Sequence, residues 1–374
     1  MKKTLILLLL VFVLVGCDKK DEISLEPLVP TDDALVQTLD GGWVATWADE
    51  FNGSVVDETK WNFEINGDGG GNNELQYYTR DNATIDDGKL IITAKKENYL
   101  GKSYTSSRLT TKYKGDFLYG RIQVRAKLPE GTGTWPAIWM MPTASVYGGW
   151  PDSGEFDIME YVGYNPGYIH STIHTDIYNG AEGTQIGYDY ALNGIEDDFH
   201  TYDLIWEPGY MATYIDDDLI GEFRYNAYFN QSYTYDQVFP FDQQFFLILN
   251  LAVGGNWGGA QGVDENAFPT TFEIDYVRYY EKDYANLDKI SPSQPTDIRL
   301  AYVYNTIFWD LATDDYAVEK YLIIVDGEAY DYSNLNQYTF KNLIKGQTYS
   351  VQVISYDFVG RKSEKSEAFD FTYQ

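Results

Sequence analysis

Three acidic residues lie within six positions of one short segment, at Glu155, Asp157 and Glu160. Successive side chains of a β-strand point to opposite faces, so Glu155 and Asp157 are expected to share a face. Glu160 stands at an odd offset from Glu155 and would face the other way in a regular strand. A one-residue β-bulge at Ile158 or Met159 is expected to return Glu160 to the acidic face.

Three carboxylates on one strand face are suited to hydrolysis of a glycosidic bond. Neighbouring carboxylates raise one another's pKa, so a protein without a use for them should avoid the arrangement. Retaining hydrolysis needs two carboxyl groups about 5–5.5 Å apart, one to attack the anomeric carbon and one to protonate the leaving oxygen. An acidic surface strand or a calcium-binding turn is the alternative. Apolar residues alternate with the acids and Trp135, Trp139 and Trp150 lie nearby, which favours catalysis.

The composition of the chain limits which partners it can bind. Aromatic residues make up 17% of the 374 residues, 34 of them Tyr, whereas Lys and Arg together number 27. The formal net charge of -30 would repel nucleic acid, anionic lipid and strongly sulfated or uronic polysaccharides. Aromatic rings stack well on flat neutral faces such as sugar rings. The composition therefore favours a neutral glycan as partner and excludes nucleic acid.

The N-terminal segment has the pattern of an exported lipoprotein. Two lysines precede an apolar run from Leu5 to Val15, and small Gly16 precedes Cys17. The run is shorter than the roughly 20 residues of a membrane-spanning helix. The sequence around Cys17 resembles a bacterial lipobox, which predicts a signal peptide at residues 1–17, acylation of Cys17 and a polar tether at residues 18–40. Membrane contact is thus expected through the lipid anchor only.

The charged residues that follow the cysteine bear on location. The cluster at residues 18–22 resembles the export signal of surface lipoproteins in Bacteroidetes-type bacteria, which indicates a cell-envelope lipoprotein of the outer membrane, displayed at the surface.

Cys17 is the only cysteine, so no intramolecular disulfide can form and the fold depends on packing. A monomer is the default expectation.

Short alternating segments fill the middle of the chain, at residues 41–283. Lys89–Ala94 and Gly120–Lys127 are examples, and clusters of Gly, Asn and Asp separate such segments. No long helical period interrupts them. The pattern predicts an all-β fold of antiparallel sheets packed as a sandwich.

A Pro- and Ser-rich stretch at residues 290–295 is typical of a linker between domains and marks the start of a second region of the chain. The following residues contain three strand-like runs, at Ile307–Trp309, Tyr321–Val325 and Tyr349–Val353. The segment around Tyr349 resembles the tyrosine corner of immunoglobulin-like sandwiches. Residues 290–374 therefore resemble a fibronectin type III module, a second and smaller β-sandwich.

Beyond the three acids, several motifs occur in a family's characteristic order. They are Gly71–Tyr78, Thr105–Leu109, Tyr119–Arg121, Thr134–Pro142, the acids themselves, His170–Thr175, Asn250–Trp257 and Ile274–Arg278. Together they resemble the laminarinase branch of glycoside hydrolase family 16. The resemblance covers about residues 43–282 and implies a concanavalin-like β-jelly roll, with two curved antiparallel sheets and an open cleft.

The resemblance also implies a role for each matching residue. Glu155 matches the family nucleophile, Asp157 its helper and Glu160 its acid/base. The implied substrate-binding residues are Asn72, Arg108, Trp135, Trp139, Trp150, His174 and Trp257, with one or two of the four tryptophans expected in the core. Catalysis needs no cofactor in this family, which often carries a structural calcium at positions matching Glu50, Gly88 and Asp275. Ser107 departs from the glycine that the family often has before the sugar-contacting arginine.

The expected activity is endo-acting, retaining hydrolysis of internal β-1,3 bonds in laminarin-like glucans, extending to mixed-linkage glucans. An alternative within the enzymes is a galactan hydrolase of the agarase or porphyranase type, because those branches share the fold and the acids. An alternative outside the enzymes is a non-catalytic glucan-binding lipoprotein. Such relatives lose one or more acids, whereas this chain keeps all three.

Overall fold

A computed structural model describes residues 38–39, 42–225, 233–301 and 305–374 of the chain. The predicted signal peptide, Cys17 and nearly all of the predicted tether lie outside the described residues. None of the helices in the described part is long and apolar enough to cross a membrane.

Strands dominate the region up to residue 283. In chain order they are β1 Thr38–Leu39, β2 Trp43–Asp49, β3 Asn62–Phe63, β4 Gln76–Tyr78, β5 Ala83–Asp86, β6 Lys89–Tyr99, β7 Lys102–Ser106, β8 Arg108–Thr110, β9 Asp116–Phe117, β10 Gly120–Lys127, β11 Thr134–Pro142, β12 Glu155–Tyr161, β13 Tyr168–His174, β14 Ile186–Ala191, β15 His200–Glu207, β16 Tyr210–Ile215, β17 Asp218–Arg224, β18 Phe245–Val253 and β19 Thr270–Lys282. Short helices are α1 Tyr235–Val238 and α2 Tyr284–Leu287, and single 3-10 turns cover Arg80–Asn82 and Glu265–Ala267.

These strands form two large sheets. The site sheet has the order β14-β13-β12-β11-β18-β8-β3, with β9 beside β18. The back sheet has the order β17-β16-β15-β10-β19-β6-β7-β4, with β2 on β19, β1 on β2 and β5 on β6. Among the described strands all pairs are antiparallel except β4 with β7.

Apolar side chains from both sheets meet in one core. Strand β10 buries every second residue, as a sheet with one solvated face should, and contributes Ile122 and Val124. Strand β18 is buried along its whole length and contributes Leu247 and Leu249 to the same core. The all-β sandwich predicted from the alternating pattern and the jelly roll implied by the family resemblance are both confirmed.

The C-terminal part has its own strands and its own core. The strands are β20 Thr296–Leu300, β21 Thr306–Asp310, β22 Val318–Val325, β23 Glu328–Ser333, β24 Gln337–Thr339, β25 Thr348–Asp357 and β26 Phe369–Thr372. They form a three-stranded sheet, β20-β21-β24, and a four-stranded sheet, β23-β22-β25-β26. Trp309, Tyr321, Val351 and Phe371 are buried between the two sheets.

The C-terminal part packs directly against the larger sandwich. Leu335 belongs to the core of that sandwich, and its methyl Cδ2 approaches the turn at Gly209. The ring of Tyr284 on α2 stacks on Phe358 with centroids 4.0 Å apart and planes 8° from parallel. These contacts hold the two sandwiches together through apolar packing.

Candidate active site

A bulge in β12 places the three acids together. Asp157 pairs with Thr172 across β13, and the next paired residue on β12 is Glu160, opposite His170. On the other side of β12, the register on β11 passes over Ile158. Ile158 is therefore the extra residue, at one of the two positions predicted from the odd offset of Glu160. Glu155 and Glu160 are half-buried while Ile158 is in the core.

A histidine on the neighbouring strand lies against the middle acid. His174 lies opposite Glu155 across the β12–β13 pair. The backbone N–H of Gly180 donates to Nδ1 of His174 at 3.0 Å, so a neutral ring carries its proton on Nε2. That Nε2 lies 3.2 Å from Oδ2 of Asp157, in ion-pair contact but not aligned for a hydrogen bond. The side chain of Glu155 opposes the rise in the pKa of Asp157.

Indole groups lie against the two outer acids. Nε1 of Trp135 donates to Oε1 of Glu160 at 2.9 Å. This bond fixes the direction of the carboxyl group, as a catalytic acid requires. The indole of Trp150 lies near Glu155 and acts to lower its pKa.

Burial sets the ionisation of the acids. Desolvation, followed by the charge of Asp157, raises the pKa of Glu155 to about 8, and His174, Trp150 and Arg108 oppose the rise. Desolvation and the charge of Asp157 raise the pKa of Glu160 well above its usual range. Desolvation also raises the pKa of Asp157. Glu155 has more groups that favour its charged form, so Glu155 is the acid best placed to ionise while Glu160 keeps its proton.

Arg108 and Trp139 lie beside the acids on the site sheet. The guanidinium carbon of Arg108 stands 4.7 Å from the ring centre of Trp139, and Nε of Arg108 pairs with Glu64 at 3.0 Å. Nε1 of Trp139 donates to Oδ1 of Asn250 at 2.6 Å. The neighbouring Ser107 is fully buried, so its side chain does not line the cleft.

The remaining predicted binding residues flank the acids. Trp150 is 46% exposed, and its ring centre is 6.0 Å from that of His174. Trp257 packs edge-on against Trp135, with centroids 5.6 Å apart. Trp135 is the most buried of the four tryptophans, in a small cluster of its own with Trp257 rather than in the main core. All four tryptophans therefore lie around the acids.

Asn72 belongs to a loop at the edge of this group. Its backbone oxygen accepts from the N–H of Asn256, which docks the loop against the segment that carries Trp257. The Asn72 side chain donates to the carbonyl of Gly70 at 3.4 Å.

A polar network that sequence reasoning missed supports Trp139 from behind. Nδ2 of Asn250 donates to the hydroxyl of Tyr78 at 3.2 Å, and that hydroxyl donates to Glu74 at 3.0 Å. Gln76 donates to the same carboxylate at 2.6 Å. The only signal in the sequence was the presence of these residues in two of the motifs that carried the family resemblance.

The positions implied for a structural calcium lie on or beside strands of the back sheet: Glu50 follows β2, Gly88 is in the turn between β5 and β6, and Asp275 is on β19. Both oxygens of Glu50 are engaged by Arg278, at 2.7 and 2.8 Å, and Asp275 pairs with Arg125. Among the described residues these carboxylates do not converge into a ligand group. Their side chains do not fit a calcium site as they stand, and a calcium held by backbone carbonyls near Gly88 stays a prediction.

Comparison with known proteins agrees with this geometry. Residues 70–278, which carry all three acids, match the family described as Glycosyl hydrolases family 16. The chain belongs to that family. Its C-terminal strands lie beyond the matched residues.

Relatives within family 16 include enzymes of known structure. A beta-glucanase of Rhodothermus marinus is 48% identical over 248 residues, 64% of this chain and 85% of that protein. The solved laminarinase from Rhodothermus marinus superposes with a TM-score of 0.62 at 47% identity, covering 64% of this chain and 98% of that one. SCLam, a non-specific endo-beta-1,3(4)-glucanase solved with a bound oligosaccharide, gives a TM-score of 0.61 at 40% identity, covering 66% and 97%.

Proposed function

We propose that this chain is an endo-acting, retaining glycoside hydrolase that cleaves internal β-1,3 bonds of laminarin-like glucans, including those of mixed-linkage glucans. The observation that carries the proposal is the bulge in β12, which sets Glu155 and Glu160 on one face with Asp157 between them. The names of the family 16 relatives, beta-glucanase and laminarinase, support glucan as the substrate. Neither the galactan nor the binding-protein alternative is favoured.

The mechanism is a double displacement. The carboxylate of Glu155 attacks the anomeric carbon, and Glu160 gives its proton to the leaving glycosidic oxygen. A covalent glycosyl ester on Glu155 results. Glu160, now ionised, removes a proton from water, which attacks the same carbon, breaks the ester bond, releases the carboxylate of Glu155 and restores the β configuration. Asp157 lies between Glu155 and Glu160 on β12, and Nε2 of His174 stands 3.2 Å from its Oδ2.

The sugar-contacting roles follow from placement. The indole faces of Trp139, Trp150 and Trp257 suit stacking on glucose rings, and Arg108 suits hydrogen bonds to hydroxyl groups. Asn72 lies in the loop docked beside the segment that carries Trp257 and is proposed as a further sugar contact.

Removing the charge of Asp157 should move the pH profile of the enzyme. The charge of Asp157 raises the pKa of both Glu155 and Glu160. In Asp157→Asn the pKa of Glu160 falls, so its proton is lost at lower pH and the alkaline limb of the kcat profile shifts to lower pH. Profiles of kcat on laminarin from pH 4 to 10 measure this, with exposed Asp370→Asn as control. An unchanged alkaline limb, or a shift to higher pH, contradicts the assignment.

For the C-terminal strands we propose a fibronectin type III-like module. Two features support the assignment: sheets of three and four strands share one core, and the hydroxyl of Tyr349 accepts a hydrogen bond from the N–H of Ile344 at 2.9 Å. A tyrosine that bonds back to the chain shortly before it is typical of immunoglobulin-like sandwiches.

We also propose that the chain is an envelope lipoprotein anchored through Cys17, in the outer membrane and facing outward. The lipobox-like sequence supports this proposal. Cys17→Ala should move the protein from the membrane to the soluble fraction, because one acyl-modified cysteine carries the whole anchor. Fractionation with and without detergent tests it. Retention of the variant in membranes would refute the anchor.

A further inference from the structure

The connection between the two sandwiches carries a buried acid. Helix α2 ends where the N–H of Asp288 donates to the carbonyl of Tyr284 at 2.8 Å. The stacking of Tyr284 on Phe358 brings this end of the helix against the C-terminal strands. Asp288 is fully buried there.

Two further acids meet Asp288 at this point. Asp314 and Asp315 lie in the loop between β21 and β22. One oxygen from each of the three carboxylates lies within 4.8 Å of the others. Burial, together with the charges of Asp314 and Asp357, raises the pKa of Asp288 to about 6. Like charges are thus packed together, and Asp288 among them is out of contact with solvent.

The oxygens of this cluster lack donors. Oδ2 of Asp288 and both carboxylate oxygens of Asp314 are inaccessible to solvent and accept no aligned hydrogen bond from any described residue. The N–H groups of Asp315 and Tyr316 lie near Asp314 and oppose the rise in its pKa, but neither is aligned for a bond. A buried anionic oxygen without a donor is strongly unfavourable, so these oxygens point to a missing positive ligand.

Arg361 offsets only part of the negative charge of these acids. Nη1 of Arg361 lies 2.9 Å from Oδ1 of Asp288 and 3.6 Å from Oδ2 of Asp357. The guanidinium of Arg361 thus contacts Asp288 and Asp357. It contacts the Oδ1 side of Asp288 and leaves Oδ2 to the cluster.

We propose that Asp288, Asp314 and Asp315 bind a hard divalent cation such as Ca²⁺ at the junction of the two sandwiches. Oxygen-only ligands select hard cations, and Ca²⁺ accepts irregular sets completed by carbonyls and water. Asp315 accepts backbone bonds from Lys289 at 3.0 Å and from Ile290 at 3.3 Å, which fix its carboxylate beside the connection. The cation joins the connection to the C-terminal module.

This site is separate from the calcium expected at Glu50, Gly88 and Asp275. Those positions lie on the back sheet, whereas Asp288 follows the last strand of that sheet and the other two acids follow β21. Substitutions in the loop between β21 and β22 should therefore leave any cation bound near Gly88 unaffected.

Metal content and thermal unfolding of the full chain test the proposal. Wild type, Asp314→Asn and Asp315→Asn are loaded with CaCl₂, freed of loose metal by gel filtration and analysed by elemental mass spectrometry. The matched control is Asp370→Asn, an exposed acid on β26 of the same module. Thermal unfolding of each protein is followed with Ca²⁺ and with EDTA.

Each of the two cluster variants should hold one equivalent of calcium fewer than wild type and should show a smaller rise in Tm with Ca²⁺. The control should match wild type on both counts. Asp315 is exposed, so Asp315→Asn is expected to fold. This variant therefore tests the site even if Asp314→Asn fails to fold. Equal calcium content and an equal rise in Tm for wild type and Asp315→Asn would overturn the proposal.

Discussion

Glu155→Ser is expected to abolish turnover of laminarin, with a loss in kcat of about 10⁴-fold or more. Serine cannot form the glycosyl ester, and the site then lacks the acid that has the most neighbouring groups favouring its charged form. Binding of a laminarin oligosaccharide should persist, because the indoles and Arg108 are untouched. Initial rates and calorimetric titration of the variant measure the two quantities.

Glu328→Ser is the matched control, because Glu328 is an exposed acid on β23 of the other sandwich. It should retain wild-type rates. Near-normal activity of Glu155→Ser would show that the nucleophile is another group. Loss of oligosaccharide binding together with turnover would show that the substitution had damaged the cleft rather than the chemistry alone.

Glu160→Gln is expected to separate the two steps of the reaction. Loss of the proton donor should lower kcat on laminarin by about 10²–10⁴-fold, the usual contribution of a general acid. An aryl β-laminaribioside with an acidic phenol as leaving group can react without protonation of the leaving oxygen. The rate of glycosyl-ester formation from this substrate should therefore fall much less than the rate on laminarin. Trp135 still donates to the amide oxygen, which keeps the side chain in place.

The ester should then accumulate in Glu160→Gln, because no base activates water. Added azide needs no base and should restore turnover by forming a β-glycosyl azide. A burst of phenol followed by azide rescue identifies Glu160 as the acid/base. An equal loss on both substrates, without rescue, would contradict that role.

Local pattern was enough to predict individual strands and the bulge in β12. The alternation of Gly120–Lys127 predicted a strand, and that segment is β10 with those bounds. The odd offset of Glu160 predicted the bulge, because side-chain direction in a strand depends only on the count of residues. Such inferences succeed because they concern neighbours in sequence.

Long-range contacts could not be predicted in the same way. The network from Asn250 through Tyr78 to Glu74 joins β18 to a strand more than 170 residues earlier. The engagement of Glu50 by Arg278 likewise depends on which strands pair, and it occupies a carboxylate that the family resemblance had assigned to calcium. Pairing of distant strands is set by the whole core, which no local pattern shows.

The acids at the junction illustrate the same limit. Asp288 stands in a short connection and Asp314 in a loop, and either would be an ordinary surface residue by its local sequence. Tyr284 stacks on Phe358 where the connection meets the C-terminal strands. Asp288 is buried at this point, and Asp314 lies beside it. The cluster arises from how the two sandwiches meet.

The most direct test of the account is the anomeric configuration of the first products. Laminarin, mixed-linkage glucan and agarose are incubated in parallel with the enzyme, and the products are followed by chromatography and proton NMR within the first minutes. The account predicts rapid appearance of short oligosaccharides with β-configured reducing ends from laminarin. Products with α-configured ends, release from agarose alone, or no release from any of the three would contradict it.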